Sequence, residues 1–216
     1  MKNIFLTLIT LFLITSCSED REDLNIVNED LNNELLSAKL DLESKLNTYK
    51  DLLNKNNTSF ASKESLTTLN SVLNITTNKK KSSSSKATTN LTENQITHVS
   101  YLGTLLSNSE TPEEALEILK EDYEAILNSE TLTVNEKSLL LIVNNSIKMS
   151  TEFVVAEFDI NNKNSSLAKR KSWWNCLKTA YADLTDDFVG TMAVAIFPGP
   201  CCAAIVIGGT INYYNQ

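Results

Sequence analysis

Side chains suited to catalysis or metal binding are scarce in this chain. Among its 216 residues there is one histidine, His98, and there are four cysteines. A zinc-type site needs several histidine or cysteine ligands at short spacing, and the sequence around His98 offers none. A nucleophile and base pair would have to use His98 as the base, and the chain has no nucleophile-elbow motif. The sequence therefore predicts no catalytic residue, no metal ligand and no cofactor.

Carboxylates are the other candidates for chemistry. Asp183, Asp186 and Asp187 fall close together on a helix and would hold a cation if their side chains converged. The alternative is that they form a solvated helix face. Acidic residues recur throughout residues 93–160, so no pair stands out as a general acid and base. Phosphate-loop and dinucleotide motifs are absent as well, and an enzymatic function has no positive feature in its favour.

The first twenty residues carry an export signal. Lys2 precedes an apolar run over residues 4–14 that is too short to span a bilayer, and the run is followed by Thr15, Ser16 and Cys17. This arrangement resembles a bacterial lipoprotein signal. The resemblance implies that residues 1–16 are a signal peptide removed before Cys17, and that Cys17 is the lipidation site, carrying fatty acids such as palmitate. The alternative is an ordinary cleaved signal with a coincidental cysteine.

The residues after Cys17 bear on where the protein resides. Residues 18–23 contain four carboxylates and one arginine. This acidic run resembles the export signal that sends Bacteroidetes lipoproteins to the outer face of the outer membrane. The alternative is periplasmic retention, with the carboxylates favouring the positive end of a helix dipole. In both cases the sequence predicts a cell-envelope protein that is anchored to membrane lipid through acylated Cys17. In the first case the protein lies at the outer membrane and is exposed on the cell surface.

Composition indicates the fold class and excludes one class of partner. The formal net charge is −8, which argues against nucleic-acid binding because phosphates attract lysine and arginine. Only five glycines and three prolines occur in 216 residues, too few for the many turns of a β fold. We therefore expect an all-α protein: an N-terminal helical stalk, a small helical bundle and a C-terminal hydrophobic helical hairpin.

The segment 17–57 is predicted to hold the anchor and the stalk, a long helix over residues 22–55. Its apolar residues alternate in spacings of three and four, as in a coiled coil. This seam favours either self-association or packing of the helix on its own domain. The seam consists of Leu24, Leu31, Leu35, Ala38, Leu42, Tyr49 and Leu52, with Asn28 and Lys45 as polar breaks.

Two segments follow the stalk. Residues 58–91 are polar and predict a flexible linker with one weak helix, because residues 76–89 bury too little apolar surface to fold. Residues 92–160 predict three helices. Capping boxes at Thr92 and Thr133 mark the first and third starts, and Thr111 followed by proline marks the second.

The chain ends in its most apolar segment. A basic loop is predicted over residues 161–172, followed by an amphipathic helix and a hydrophobic hairpin over residues 173–216. The two apolar halves, 188–197 and 201–211, are each too short to span a bilayer, and the prolines at 198 and 200 disfavour one continuous helix. Aromatic residues at both ends are typical of membrane-interface anchors. These residues are Trp173, Trp174, Tyr213 and Tyr214.

The tail resembles that of uncharacterised Bacteroidetes lipoproteins of the Flavobacteria-like kind. The residues that carry this likeness are KSWWNC at 171–176, the alanine- and glycine-rich run to Gly209, and LTVNEKSLLLIV upstream. Those lipoproteins end in a tryptophan-containing, small-residue-rich, bacteriocin-like segment. The resemblance implies no established activity. It leaves two alternatives, a membrane-active tail and a hairpin that completes the core of the bundle.

Three cysteines remain once Cys17 is acylated. A disulfide from Cys176 to Cys201 or Cys202 would tie the amphipathic helix to the tail, and a loop of about 25 residues closed in this way contributes about 3 kcal/mol. An exported protein meets conditions that permit this bridge. The alternative is that the three are buried, reduced thiols that pack as small apolar side chains.

The sequence as a whole predicts a membrane-anchored, non-enzymatic interaction protein of the cell envelope. The alternative function is a membrane-active, toxin-like tail displayed on a lipoprotein scaffold. The expected partners are membrane lipid at Cys17, a second copy through the stalk, and a protein that the sequence does not identify.

Overall fold

A computed structural model describes the backbone of residues 19–74, 91–161, 167–184 and 198–215. These residues form helices and no strands, so the predicted all-α class is confirmed. A π-helical turn, Ala204–Gly208, joins the last two helices, and we call the continuous stretch 198–214 the C-terminal helix. The helices are α1 (Glu19–Lys55), α2 (Lys63–Val72), α3 (Glu93–Asn108), α4 (Pro112–Asn128), α5 (Val134–Asn161), α6 (Leu167–Ala182), α7 (Pro198–Ala203) and α8 (Gly209–Tyr214).

Helices α3, α4 and α5 begin at the caps that the sequence indicates. The Thr92 side chain accepts a hydrogen bond from the Gln95 amide, and the Gln95 side chain accepts one from the Thr92 amide. Thr133 and Glu136 make the same reciprocal pair at the start of α5. Thr111 caps α4. Each cap satisfies amides that have no partner within their helix, so local sequence fixes these three starts.

Helix α5 is the centre of the bundle. It packs against α1, α4 and the C-terminal helix, and Leu140, Leu141 and Ile147 are fully buried. Its apolar residues occur on more than one side, which is the pattern of a helix surrounded by neighbours. The Lys137 ammonium donates to the Leu127 carbonyl of α4 at 3.0 Å, as expected for antiparallel neighbours joined by a short turn.

The described part of α1 packs on its own bundle. It runs parallel to α5, with Ser138 donating to Glu34 at 2.6 Å near one end and Lys50 paired with Glu157 at 2.7 Å near the other. The buried residues on α1 are Leu31, Leu35, Leu42, Leu46, Tyr49 and Leu53. The seam that the sequence offers for self-association is thus occupied, in these residues, by contacts within the chain.

The buried face of α1 departs from the expected seam in its second half. A strict seven-residue repeat places Lys45 and Leu52 inside, whereas the structure buries Leu46 and Leu53. A straight helix has 3.6 residues per turn, so a 3.5-residue repeat drifts off its face after two or three heptads. Helix α1 follows the straight-helix period because it packs against a bundle rather than winding around a second helix in a coiled coil.

Part of the predicted linker 58–91 belongs to the core. Helix α2 packs against α1 and the C-terminal helix, with Leu69 and Leu73 buried on it and Phe60 buried just before it. The Tyr49 hydroxyl is hydrogen-bonded to the Ser65 hydroxyl of α2. Isolated apolar residues in a polar stretch become core residues here because larger helices supply the rest of the contact surface. Residues 76–89, the predicted flexible run, lie outside the described residues.

Part of the predicted basic loop is helical, and the C-terminal helix begins at the prolines that were expected to disfavour one continuous apolar helix. Lys169, Arg170 and Lys171 lie in α6, which begins at Leu167, although a loop was predicted over 161–172. Lysine and arginine are good helix formers, and polarity alone does not make a loop. Pro198 and Pro200 lie in the first turn of the C-terminal helix. Proline is tolerated there because the first amides of a helix have no partner within it.

The C-terminal helix ends beside the turn that joins α1 and α2. The Asn215 side-chain amide donates to the Ala61 carbonyl at 2.8 Å and to the Ile211 carbonyl at 2.7 Å. Helix α8 also packs against α2 and α6. The last described residue is therefore held at the end of α1 farthest from Cys17 in sequence.

Candidate functional site

The apolar tail is the segment with the strongest functional prediction, and the structure places its second half inside the bundle. Cys202, Val206, Ile207 and Ile211 are fully buried. The C-terminal helix contacts α5 and α1 through α7, and α6 and α2 through its later turns. The first half of the predicted hairpin, residues 188–197, lies outside the described residues.

Small residues allow the C-terminal helix to approach its neighbours closely. A Cβ atom added at Gly199 would lie 3.2 Å from the Ser146 hydroxyl, and one at Gly209 would lie 2.9 Å from the Ala180 Cβ. In contrast, a Cβ at Gly208 would meet only ordinary contacts of 3.6 Å or more. Gly199 and Gly209 thus serve close packing within the bundle, as expected for a C-terminal segment that completes its core.

Hydroxyl groups on these helices bond within their own helix. Ser146, Ser150 and Thr210 each donate to the carbonyl four residues earlier, at 2.6–2.7 Å. Thr151 also donates to its own helix and contacts the Tyr181 hydroxyl at 2.5 Å. Since these polar groups are satisfied locally, α5 and the C-terminal helix present almost purely apolar surfaces to each other.

The predicted interface anchors on α6 are buried. The Trp173 ring stacks on Phe158 with centroids 5.3 Å apart, and the Trp174 indole nitrogen donates to the Glu110 carbonyl at 2.9 Å. Tyr214 is partly buried and also contacts Phe158, at 5.2 Å. In this conformation Trp173 and Trp174 pack inside the protein. They would meet a bilayer only if α6 left the bundle, and their role as interface anchors stays a prediction.

These rings belong to a larger group that we call the aromatic cluster. It links α1, α5, α6, α8 and the α1–α2 turn through ring contacts of 5.2–6.5 Å. Most of these contacts are edge-to-face or tilted, the favoured geometries for aromatic pairs. Its members are Tyr49, Phe60, Phe153, Phe158, Trp173, Trp174, Tyr181 and Tyr214.

The fourth predicted anchor, Tyr213, is joined to one of the clustered aspartates. The Tyr213 hydroxyl donates to the Asp183 carboxylate, which links the C-terminal helix to the end of α6. Asp186 and Asp187 lie outside the described residues. No group of three or more histidine, cysteine, aspartate and glutamate side chains able to hold a metal occurs among the described residues.

The three cysteines after Cys17 are free thiols in the structure. Burial raises the pKa of Cys176, that of Cys201 to about 11 and that of Cys202 well above its ordinary value. The predicted bridge from Cys176 to Cys201 or Cys202 is not formed. Cys201 and Cys202 lie on α7, which packs on α5 and α1, whereas α6, which carries Cys176, packs on the later turns of the C-terminal helix.

His98 pairs with a carboxylate. Its Nε2 lies 2.8 Å from the Asp122 carboxylate, and the other Asp122 oxygen accepts from the Asn144 amide at 2.8 Å. Asn144 also donates to the Leu119 carbonyl. This chain of contacts crosses from α3 through α4 to α5. These contacts join neighbouring helices, so the arrangement ties the bundle together.

Glu136 has a role that the sequence only partly indicates. Besides capping α5 at Thr133, its carboxylate accepts from the Thr92 hydroxyl at 2.7 Å and from the Asn94 amide at 3.2 Å. Hydrogen bonds from Thr133 and Thr92 lower the pKa of Glu136 to about 2. The starts of α3 and α5 are thus fixed to one carboxylate. No sequence signal links Glu136 to Thr92, because that contact depends on the packing of the two helices.

One stretch of the described chain, Val134–Phe158 in α5, is long and apolar enough to cross a membrane. Just over half of its most apolar window is buried inside the bundle. The central helix of a soluble bundle meets the same criterion, so this helix by itself does not separate the two functional alternatives.

The principal sequence-predicted site, Cys17, lies outside the described residues. Within them, the side chains capable of chemistry are engaged in helix caps, inter-helix pairs and apolar packing. Comparison with known proteins adds no assignment: no family model, no curated protein and no solved structure matches this chain.

Proposed function

We propose that this chain is a lipid-anchored, non-enzymatic protein of the cell envelope whose helical bundle binds a macromolecular partner at the membrane surface. The burial of the C-terminal helix carries this proposal. Val206, Ile207 and Ile211 already have protein neighbours on all sides. Packing of this kind supports a folded binding scaffold, because the second half of the tail is covered by protein rather than by a bilayer.

The proposed cell-envelope location depends on the N-terminal segment that resembles a lipoprotein signal. Residues 1–16 precede Cys17, and α1 begins at Glu19, two residues later. Acyl chains at Cys17 hold a protein at a membrane because each buried methylene contributes about 0.8 kcal/mol. The bundle would then stand directly at the lipid surface through a helix that begins almost at the anchor.

The non-enzymatic part rests on the partners of the reactive groups. His98 is paired with Asp122, Glu136 caps α5 and accepts from the Thr92 side chain at the start of α3, and the thiols of Cys201 and Cys202 are buried with raised pKa values. Each of these groups has a structural explanation. Catalytic groups are instead typically held in a cleft where a substrate reaches them.

Metabolic labelling combined with fractionation tests the proposal. We expect radiolabelled palmitate to enter the wild-type chain and not a Cys17→Ser variant, which leaves the membrane fraction. Protease added to intact cells then distinguishes surface display from periplasmic retention, with a known periplasmic lipoprotein as control. An unlabelled wild-type chain that fractionates like the variant would refute the anchoring.

A second candidate, a membrane-active protein, is favoured by one specific observation. The central helix α5 contains a membrane-length apolar stretch, and residues 188–216 contain no charged side chain. The two could pair in a bilayer once the outer helices opened, since their hydroxyls are satisfied within each helix.

Dye release from vesicles separates the two candidates. The mature chain is added to vesicles of phosphatidylethanolamine and phosphatidylglycerol, and far-UV and tryptophan spectra are followed in parallel. If the protein is a binding scaffold, no dye is released and the tryptophan emission stays that of buried Trp173 and Trp174. Dye release with a shift in the Trp173 and Trp174 emission favours membrane activity.

A further inference from the structure

Among the α1 residues whose side chains the structure describes, most apolar side chains face the bundle and two leucines lie outside. Leu36 is 54% exposed and Leu40 is 55% exposed, one helical turn apart. At 100° per residue Leu36 and Leu40 lie about 110° and about 150° around α1 from the centre of the buried face at Leu35 and Leu42. Within the described part of α1, the outer face rather than the predicted seam is therefore available for self-association.

We propose that Leu36 and Leu40 form the contact between two copies of this chain anchored in the same membrane. The inference rests on the proposed anchoring and names its partner, a second copy related by a two-fold axis. In such a pair Leu36 of each copy packs on Leu40 of the other, the self-complementary arrangement of two-fold interfaces. We call this surface the outer leucine pair.

The polar residues around the outer leucine pair select the relative direction of the two helices. Glu29 and Glu43 flank the leucines on the same exposed face, as do Asn33 and Asn47. A parallel pair in register sets each glutamate against its own copy, which is repulsive. An antiparallel pair centred between the leucines sets Glu43 against Asn33 and Glu29 against Asn47. Each carboxylate then meets an amide that can donate a hydrogen bond to it, so hydrogen-bond complementarity favours the antiparallel pair.

The small size of the contact explains why anchoring is needed. Two half-exposed leucines from each copy cover far less than the ~1,200 Å² at which stable interfaces begin. A free chain would therefore remain monomeric at ordinary concentrations. Confinement to a membrane raises the effective concentration, which converts a weak contact into an occupied one.

The anchors are compatible with the antiparallel direction. The midpoint between Leu36 and Leu40 is about 30 Å of helix from the start of α1 at Glu19. Both copies reach one membrane when their α1 helices lie along its surface, with the two acylated cysteines at opposite ends of the pair. The C-terminal, negative ends of the two α1 helices then lie at opposite ends of the pair.

Cross-linking in cells with the full-length chain tests this inference. Asn33→Cys and Glu43→Cys are introduced singly and together, and intact membranes are treated with a short bismaleimide. The antiparallel pair gives a cross-linked dimer from the double variant and none from either single variant. A dimer from the single variants shows a parallel pair and overturns the proposed direction. The chain without these substitutions measures any background from its native cysteines.

Matched variants test the surface itself. Leu36→Asp with Leu40→Asp should lower the cross-linked fraction about tenfold or more, while Tyr101→Asp, at a 62% exposed position on α3, should leave it unchanged. All three positions are outside the core, and cooperative melting of both variants near the wild-type temperature confirms that the fold is kept. Equal cross-linking in the leucine variant refutes the outer leucine pair.

Palmitate labelling of the same samples separates this inference from the proposed function. Label without cross-linking leaves the anchoring intact and refutes self-association. Absence of label refutes the anchoring. Cys17→Ser at equal expression should lose the cross-link together with the label, and a persistent cross-link in that variant would overturn the requirement for a membrane.

Discussion

At the scale of single residues, several polar side chains of this protein connect neighbouring helices through hydrogen bonds and ion pairs. Glu136 receives hydrogen bonds from Thr92, Asn94 and Thr133, and His98 reaches Asn144 through Asp122. Such contacts rarely dominate stability, but their loss leaves buried groups without partners. Their effects should therefore depend strongly on pH and on single substitutions.

Glu136→Gln should lower the melting temperature at neutral pH by a few degrees. The native pKa of about 2 lies below the unfolded value of 4.5, so the stabilising effect is complete above pH 4.5. It is lost as the pH falls from 4.5 towards 2. Melting curves across this range should show the wild type and the variant converging in acid. Glu121→Gln, at an exposed position on α4, serves as the control, and a constant difference at all pH values would contradict the prediction.

The thiols should react in a defined order. Cys176 is partly exposed, whereas Cys201 and Cys202 are buried and their pKa values are raised, so little thiolate is available. Alkylation of the folded mature protein without reductant should modify Cys176 first. After unfolding, mass spectrometry should find all three residues modified. Recovery of only one reactive thiol in denaturant would show that a disulfide forms in the cell.

At the scale of elements, close helix packing depends on particular glycines. Gly209 packs closely against the Cβ of Ala180, whereas the neighbouring Gly208 has room for a methyl group. Adjacent glycines in one helix thus have opposite tolerances, because only one of them lies at a close helix contact.

Gly209→Ala should destabilise the protein by about 1–3 kcal/mol, because the new Cβ would overlap that of Ala180 and force the helices apart. Gly208→Ala is the matched control. It should be neutral or stabilise by up to about 1 kcal/mol through helix propensity. Urea unfolding of the two variants gives the comparison, and equal midpoints would show that α6 and α8 do not pack as described.

The elements also show how far sequence reasoning extends in this chain. Starts fixed by local chemistry, such as the caps at Thr92, Thr111 and Thr133, are readable because donor and acceptor lie within three residues. Helix α2 is less evident, since its few leucines become core only against α1 and the C-terminal helix. The burial of Leu46 in place of Lys45 likewise depends on which helices α1 packs against. A repeat pattern alone does not specify these neighbours.

The candidate site shows the same division. Cys17 is recognisable because its signal is contiguous, and the aromatic residues at 173, 174, 213 and 214 stand out by type. Their neighbours do not, because Phe158 and Glu110 are distant in sequence. Aromatic side chains near an apolar segment suit both a membrane interface and a protein core, and only the packing in the folded chain distinguishes the two.

At the scale of the whole molecule, α1 is integrated with the rest of the fold. The aromatic cluster connects Tyr49 on α1 to Trp173 on α6 through Phe153, Phe60 and Phe158. Lys50 adds an ion pair to α5. We therefore expect α1 and the bundle to unfold together.

Leu42→Ala should shift the unfolding of the entire protein. Leu42 is fully buried on α1, and such truncations cost about 2–5 kcal/mol. Tryptophan fluorescence reports α6, far from Leu42 in sequence, and should show the same loss as far-UV circular dichroism. Leu36→Ala, on the exposed face, should change stability by less than about 0.5 kcal/mol. A tryptophan transition unaffected by Leu42→Ala would indicate that α1 is an independent stalk.

The hydrogen bond from Asn215 to Ala61 has a practical consequence for labelling. It holds Asn215 next to the distal end of a 37-residue helix, about 55 Å long, whose other end begins two residues after Cys17, the proposed lipidation site. A short epitope fused after Gln216 would consequently lie about 55 Å along the helix from Cys17 of the same chain. Antibody staining of unbroken cells could then report which way the protein faces without disturbing its attachment.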